Sequence, residues 1–206
     1  MACEPELSTE NVSRTTYFTE LELIGDEITM VPVGSTYVDE GVIATEGEED
    51  VTDNVKVNSN VDASKIGYYT VTYSATNTDG FEKTISRIVL VHPVEDSGVD
   101  YSGTYTGVAR GETIADGCVI TKLGPSTYVA SDFFGGVYCC GVRNYGLAYR
   151  LQTFFYVSTD NTTYTNMENT SPWGPWNLLN ATLDGTTFSH AVEQGGFSFG
   201  VTLTKQ

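Results

Sequence analysis

With 206 residues, 40% of them hydrophobic, the chain can build one sizeable core or two small ones, and its length favours two. Its 27 acidic and 10 basic residues leave a net charge of -17, which repels phosphate backbones and supplies no basic stripe for counterion release, so nucleic acid is not an expected partner. No apolar run reaches the roughly 18 residues of a membrane-spanning helix, because stretches such as RIVLV and LLNATL are broken within a few positions.

The chain opens MACEPELSTENVSR, with a small alanine, Ala2, before Cys3. This resembles the start of a mature bacterial lipoprotein, whose cysteine sulfur is acylated after cleavage behind a small residue. Cys3 is the expected lipidation site. The charged and apolar regions of a signal peptide do not stand ahead of it, which implies a trimmed chain or a start placed too late. The plain alternative is an ordinary terminal thiol. Residues 4–19 are too polar to offset their ordering entropy by burial, so residues 1–19 read as a tether.

From Glu20 the pattern turns to β. In YYTVTYSATN, Tyr69, Val71, Tyr73 and Ala75 alternate with threonine and serine, the period of a half-buried strand. NTDGFEK supplies a turn at Asp79 and Gly80, and ISRIVLV resumes the β-branched run, so two strands joined by a short turn are expected. The stretch from VPVGSTYVDEG to GYYTVTYSATNTDGFEKTISRIVLV resembles the Ig-like repeat of bacterial surface proteins. Its marks are a Gly-Ser-x-Tyr-x-Asp-x-Gly turn, an acidic loop and a Gly-x-Tyr-x-Val-x-Tyr strand. The resemblance implies an Ig-like β-sandwich over residues 20–93. Glu40 and Ile66 stand where that family commonly has proline, and Asn77 and Phe81 replace its usual last-turn residues.

Composition then shifts. Residues 98–206 hold 17 of the 24 aromatic residues and 15 of the 21 glycines, whereas residues 1–97 carry 19 of the 27 acids, so a boundary is placed at VHPVEDSGVD. YSGTYTGVAR, GCVITKL, TYVASDF, GVYCCGV, LAYRLQTFFYVS, GTTFSH and GFSFGVTLTK read as strands, and no segment reads as a long helix. The expected fold is therefore all-β, with a second β-sandwich or barrel-like domain over 98–206. An Ig-like module on a lipidated tether followed by such a domain resembles Bacteroidetes outer-membrane lipoproteins of polysaccharide-utilisation loci.

Catalytic signatures are weak. GFSFG fits G-x-S-x-G with Ser198 at the nucleophile position, but Phe197, Phe199, Val201 and Leu203 alternate as a strand and too few residues follow for the partners of a hydrolase. His92 and His190 have no zinc-type spacing. Glu46, Glu48, Glu49, Asp50 and Asp53 could hold calcium or form a solvated loop tip, the latter preferred because the EF-hand pattern is missing. A glycosidase pair drawn from Asp132, Asp160, Glu168 and Asp184 is open, with nothing to mark any of them out. No metal site, no cofactor and no enzymatic activity are expected. Cys118, Cys139 and Cys140 allow a bridge from Cys118, a vicinal ring or no bond, and small buried thiols are the preferred reading.

The candidate binding surface is STDNTTYTNMENTSPWGPWN, where prolines and Gly174 hold Trp173 and Trp176 in an irregular loop. Trp173 and Trp176 could offer flat faces to sugar C–H groups, framed by Tyr164 and Tyr156 if TDNT closes a hairpin. Otherwise both indoles cover the open end of the core. The resemblance implies a non-catalytic, lipid-anchored outer-membrane protein facing the cell surface, binding polysaccharide or oligosaccharide through its C-terminal domain. An outer-membrane transporter is the implied partner, and the membrane is touched only through the N-terminal lipid. The alternative is a structural or protein-contact module of the envelope with no glycan ligand.

Overall fold

The computed structural model describes residues 15–206; Cys3 and most of the expected tether lie outside them. The Ig-like stretch forms β1 (Thr19–Leu23), β2 (Ile28–Pro32), β3 (Val42–Glu46), β4 (Glu49–Asp50), β5 (Lys56–Ser59), β6 (Gly67–Thr76) and β7 (Glu82–His92). β1, β3 and β4 make one antiparallel sheet, and β2-β7-β6-β5 make a second in which β2 runs parallel to β7. The alternation read in the sequence holds in β6, where Val71, Tyr73 and Ala75 are buried and Thr72 and Ser74 are not. Asn77 builds the turn into β7, its side-chain oxygen accepting from the Asp79 and Phe81 amides at 3.2 and 2.7 Å.

Packing divides the chain into two compact units, one gathering residues up to 27, 38–60 and 70–87, the other 28–37, 61–69 and 88–206. The first is organised around a buried cation. Arg87, fully buried in β7, donates through Nη1 to Asp39 Oδ1 at 2.9 Å and through Nη2 to the carbonyls of Ile24 and Gly41. Tyr73 Oη donates to the same Asp39 oxygen at 2.5 Å. The conspicuous motif residues thus have a structural use: Asp39 neutralises Arg87, Tyr73 braces Asp39, and Gly41, at φ 83, turns its carbonyl toward the guanidinium.

The second unit contains β8 (Gly103–Ala109), β9 (Glu112–Gly124), β10 (Thr127–Ala130), β11 (Gln152–Val157), β12 (Tyr164–Thr170), β13 (Asn177–Asp184), β14 (Thr187–Gln194) and β15 (Phe197–Lys205). They form a single sheet in the order β12-β11-β10-β9-β8-β15-β14-β13. Every sequence neighbour pairs antiparallel except β12 with β13, and β15 returns to β8, so the sheet is a nearly closed up-and-down barrel. At the remaining seam Leu183 N donates to the Thr162 carbonyl at 2.8 Å, and Asn169 exchanges two 2.8 Å hydrogen bonds with the Trp176 backbone. The tight hairpins use positive φ, at Arg110-Gly111 and at Gly195-Gly196.

One local expectation is corrected and two strands are added. YTNMENT, beside the expected TDNT hairpin, is strand β12, and NLLNATLD, not among the expected strands, is strand β13. The polar composition and bulges at Phe154/Phe155 and between Leu179 and Thr182, where Asn180 adopts φ 55, break the two-residue period that would have marked them. GVYCCGV is a run of turns, not a strand.

Candidate functional site

The segment between β10 and β11 does not cross the surface. Asp132, Phe133, Phe134, Val137, Tyr138 and Cys139 are all buried, and Phe133, Phe134, Val137 and Tyr138 share the hydrophobic core of the barrel strands' inward side chains. Gly135 and Gly136, at φ 69 and 84, make the turn inside. The wall is thinned to admit them: a Cβ on Gly107 or Gly117 would lie 2.1 or 2.5 Å from the Gly135 carbonyl oxygen. The segment is a plug.

Asp132 holds it. Its carboxylate accepts from the amides of Phe134 (2.8 Å), Gly136 (3.1 Å) and Leu151 (3.0 Å), tying the turn to the start of β11. Burial pushes its pKa up to about 6, against the opposing pull of those amides and of Arg150. His190 on β14 carries the plug from the other side. Its Nε2 donates to the Phe133 carbonyl at 2.8 Å, and Tyr164 Oη faces its Nδ1 at 2.7 Å. Burial lowers the His190 pKa to about 4, which keeps the ring neutral and leaves Nδ1 as the acceptor of the tyrosine hydroxyl.

Cys139 and Cys140 are joined in a vicinal disulfide, while Cys118 is free and buried with its thiol pushed up to about 12 by desolvation. The preference for three free thiols is corrected for this pair. The two residues sit in a turn and not in a strand, Cys139 buried and Cys140 exposed.

One end of the barrel carries a cluster of rings. Phe134 packs edge-on to Tyr138 and Trp176 at 5.1 and 5.0 Å between centroids, and Trp173 lies 5.0 Å from Tyr138 and 5.1 Å from Tyr149. Arg110 donates to Tyr138 Oη at 2.8 Å and sits over the Phe197 ring at 5.1 Å. Between them is a hollow of about 270 Å³ lined by Tyr138, Trp173, Trp176, Gln194 and Phe197. Gln194 Nε2 fixes the rim, donating to the carbonyls of Trp173 and Pro175 at 2.8 and 2.9 Å. Trp173 is 40% exposed and Phe197 44%, whereas Trp176 is 7% exposed. The two indoles therefore do not share one flat face: Trp173 is presented and Trp176 forms the floor.

The TDNT hairpin does form, with Asp160 capping its turn through Ser158 and Thr162. It places Tyr156 and Tyr164 beside that turn, at the opposite end of β12 from Thr170 and the tryptophan loop. Tyr164 is buried against His190 and Phe133, and Tyr156 makes no ring contact among the described residues. The structure brings Trp173 and Trp176 together in this hollow; Tyr164 shares a separate hollow with Trp176 alone, and Tyr156 lines neither. Tyr138, Phe197 and Gln194 are the lining residues that the sequence did not point out; the alternation in GFSFG was the available signal for Phe197.

The other candidates disperse. Ser198 lies in β15, within a strand. Asp132 is occupied by the plug, Asp160 by its turn, and Glu168 accepts from the Asn169 amide at 3.1 Å. Glu46 accepts from Thr78, Asp50 accepts from Thr52, and no cluster of three metal-ligating side chains occurs among the described residues. His92 is packed, its Nδ1 2.7 Å from the Pro93 carbonyl.

Known proteins align with this layout. A family model for the Ig-like domain of bacterial surface proteins matches residues 21–91, and one for a C-terminal domain matches residues 94–205. The lipoprotein BT2262 from Bacteroides thetaiotaomicron is 31% identical over 91% of this chain and 100% of its own, with a TM-score of 0.49. A structure of CBM51-2 in complex with GlcNAc and INT domains from Clostridium perfringens ZmpB is 18% identical over 91% of this chain and 43% of that one (TM-score 0.33). Another, of the M60 catalytic domain with CBM51-1 and CBM51-2 from the same protein, is 18% identical over 90% and 21% (TM-score 0.32). Superpositions at that level decide neither fold nor ligand. No curated protein matches the chain.

Proposed function

The chain belongs to the family of the Bacteroides thetaiotaomicron lipoprotein BT2262 and carries the Ig-like domain of bacterial surface proteins, and from that premise we propose that it is a non-catalytic, surface-held glycan-binding protein. In this reading Cys3 carries the lipid anchor at the outer membrane, the Ig-like domain of residues 20–93 is a spacer, and residues 98–206 form the binding head. A polysaccharide uptake system with an outer-membrane transporter is the setting the reading assigns.

The observation that carries it is the partly exposed Trp173 indole at a ring-lined hollow, with Phe197 and the Gln194 amide in the same lining. Pyranose rings have C–H faces that lie on aromatic surfaces and hydroxyls that bond to amides, so this wall is suited to a sugar. The non-catalytic reading is supported by the employment of Asp132 in the plug and of Asp160 in its turn.

Affinity electrophoresis in gels containing polysaccharide tests it. Trp173→Ala should abolish retardation while leaving the unfolding midpoint nearly unchanged, because the ring is partly exposed. Trp176→Ala, in the floor, should instead cost about 3–5 kcal/mol of stability. Retardation that survives Trp173→Ala would withdraw the hollow as the site. The second reading, a protein-contact module of the envelope, is favoured by the buried Trp176, and would be left standing by that result.

A further inference from the structure

Residues 98–206 contain five cations, and four are committed. Lys122 pairs with Asp96 at 2.7 Å, Arg143 with Glu112 at 2.6 Å, Lys205 donates to the Asp100 carbonyl at 3.0 Å, and Arg110 donates to Tyr138 while covering rings. Arg150 has no oxygen acceptor among the described residues. Its Nη2 reaches only the Cys140 sulfur, at 4.0 Å, and its Nε is buried without a hydrogen-bond partner. Asp132 feels the Arg150 charge but makes no ion pair with it, since its oxygens are filled by the plug amides. Nε is sealed from solvent, so an arriving anion would meet the Nη donors, which have no oxygen partner among the described residues.

Arg150 opens into a groove of about 550 Å³, bordered by Ser131, Gln152, Thr170, Ser171 and Pro172. That volume falls within the roughly 300–1,000 Å³ of small-ligand sites. Gln152 and Thr170 are paired across β11 and β12, both exposed, and neither side chain has a hydrogen-bond partner among the described residues. Pro172 of the groove immediately precedes Trp173 of the aromatic hollow, so consecutive residues border the two.

We infer that this groove takes the carboxylate of an acidic sugar, a uronic-acid residue of a glycan, with the Arg150 fork on the carboxylate and the Gln152 and Thr170 side chains on its hydroxyls. This rests on the glycan reading above and names the sugar class. A single planar fork matches one carboxylate in a bidentate pair, and a neutral hydroxyl-bearing lining matches a polyol better than a second charge. The overall charge of -17 disfavours a densely anionic polymer, whose every added charge is repelled.

Calorimetric titration of the full chain with an aldotriouronic acid, a trisaccharide bearing a single glucuronate, and with the same trisaccharide after carboxyl reduction tests the inference. The acid form should bind at least about tenfold more tightly, the scale of one charge-assisted fork. Arg150→Gln should erase that preference, and Arg150→Lys, which keeps the charge but not the fork, should restore only part of it. The ligand pair carries the test even if a variant misfolds. Equal affinity for both forms, unaltered by Arg150→Gln, would overturn the role of Arg150 and leave glycan binding intact. Failure of both trisaccharides to bind, with Trp173-dependent retardation by neutral polysaccharide persisting, would do the same. Loss of all retardation as well would remove the glycan reading itself.

Discussion

Among the described residues, each half of this protein buries one charge, and the two are held in opposite ways. In the Ig-like half the charge is a cation, Arg87, held by carbonyl oxygens and by the carboxylate of Asp39. In the C-terminal half it is an anion, Asp132, held by three backbone amides with no cation in contact. The first device needs two side chains from distant positions and a tyrosine to brace them. The second needs one side chain and a glycine turn that aims its own amides inward. A pair fastens two segments to each other, whereas a carboxylate inside an amide nest folds a single segment on itself.

The comparison is broken most severely at Asp132. Asp132→Ala leaves three buried donors without an acceptor, and at about 1–3 kcal/mol each the loss should be about 3–6 kcal/mol, read by denaturant unfolding. Both tryptophans lie in the C-terminal half, so their emission should report this variant directly. Asp39→Ala strands the buried Arg87 and should cost about 3–5 kcal/mol, with the tryptophan transition left in place. Transitions that move together in the two variants would dissolve the distinction. Next in size is Gly107→Ala, whose Cβ meets plug backbone rather than a yielding side chain, for about 1–3 kcal/mol; Gly200→Ala, with open space around it, is the control.

The smallest effect is on pH dependence. The folded pKa of Asp132, near 6, lies above the usual carboxylate value of about 3.9, so the folded state holds the proton more tightly. Its contribution is full below about pH 4 and is lost as pH rises through about 6. Relative to Asp132→Asn, the native chain should therefore gain stability on going from about pH 7 to pH 5, measured by the denaturation midpoint. Arg87 stays charged throughout and gives the Ig-like half no counterpart.

Legibility in the sequence follows the same division. Alternation in YYTVTYSATN and the punctuated motif around Asp39 carry the Ig-like half, because period and turn chemistry there agree with tertiary packing. In the C-terminal half the regular strands were legible for the same reason, and β12 and β13 were not, since bulges scramble their faces. The plug left almost no local trace. FFGGVYCC reads as a glycine-broken apolar strand, and only the absence of side chains at Gly107 and Gly117, far away in sequence, makes room for it. Trp173 was readable as a presented ring, but Tyr138 and Phe197 come to it through the barrel and the plug, which no spacing announces.

The return of β15 onto β8 leaves Gln206 donating to the Thr104 carbonyl at 3.0 Å, so the first and last strands of the barrel meet edge to edge. Within residues 98–206 alone, a circular permutant joined there and cut between Thr170 and Asn177 would keep every strand pair of the barrel and convert each into a hairpin neighbour. The single loop closure that spans the whole domain would vanish, and with it the slowest entropic step in assembling the barrel.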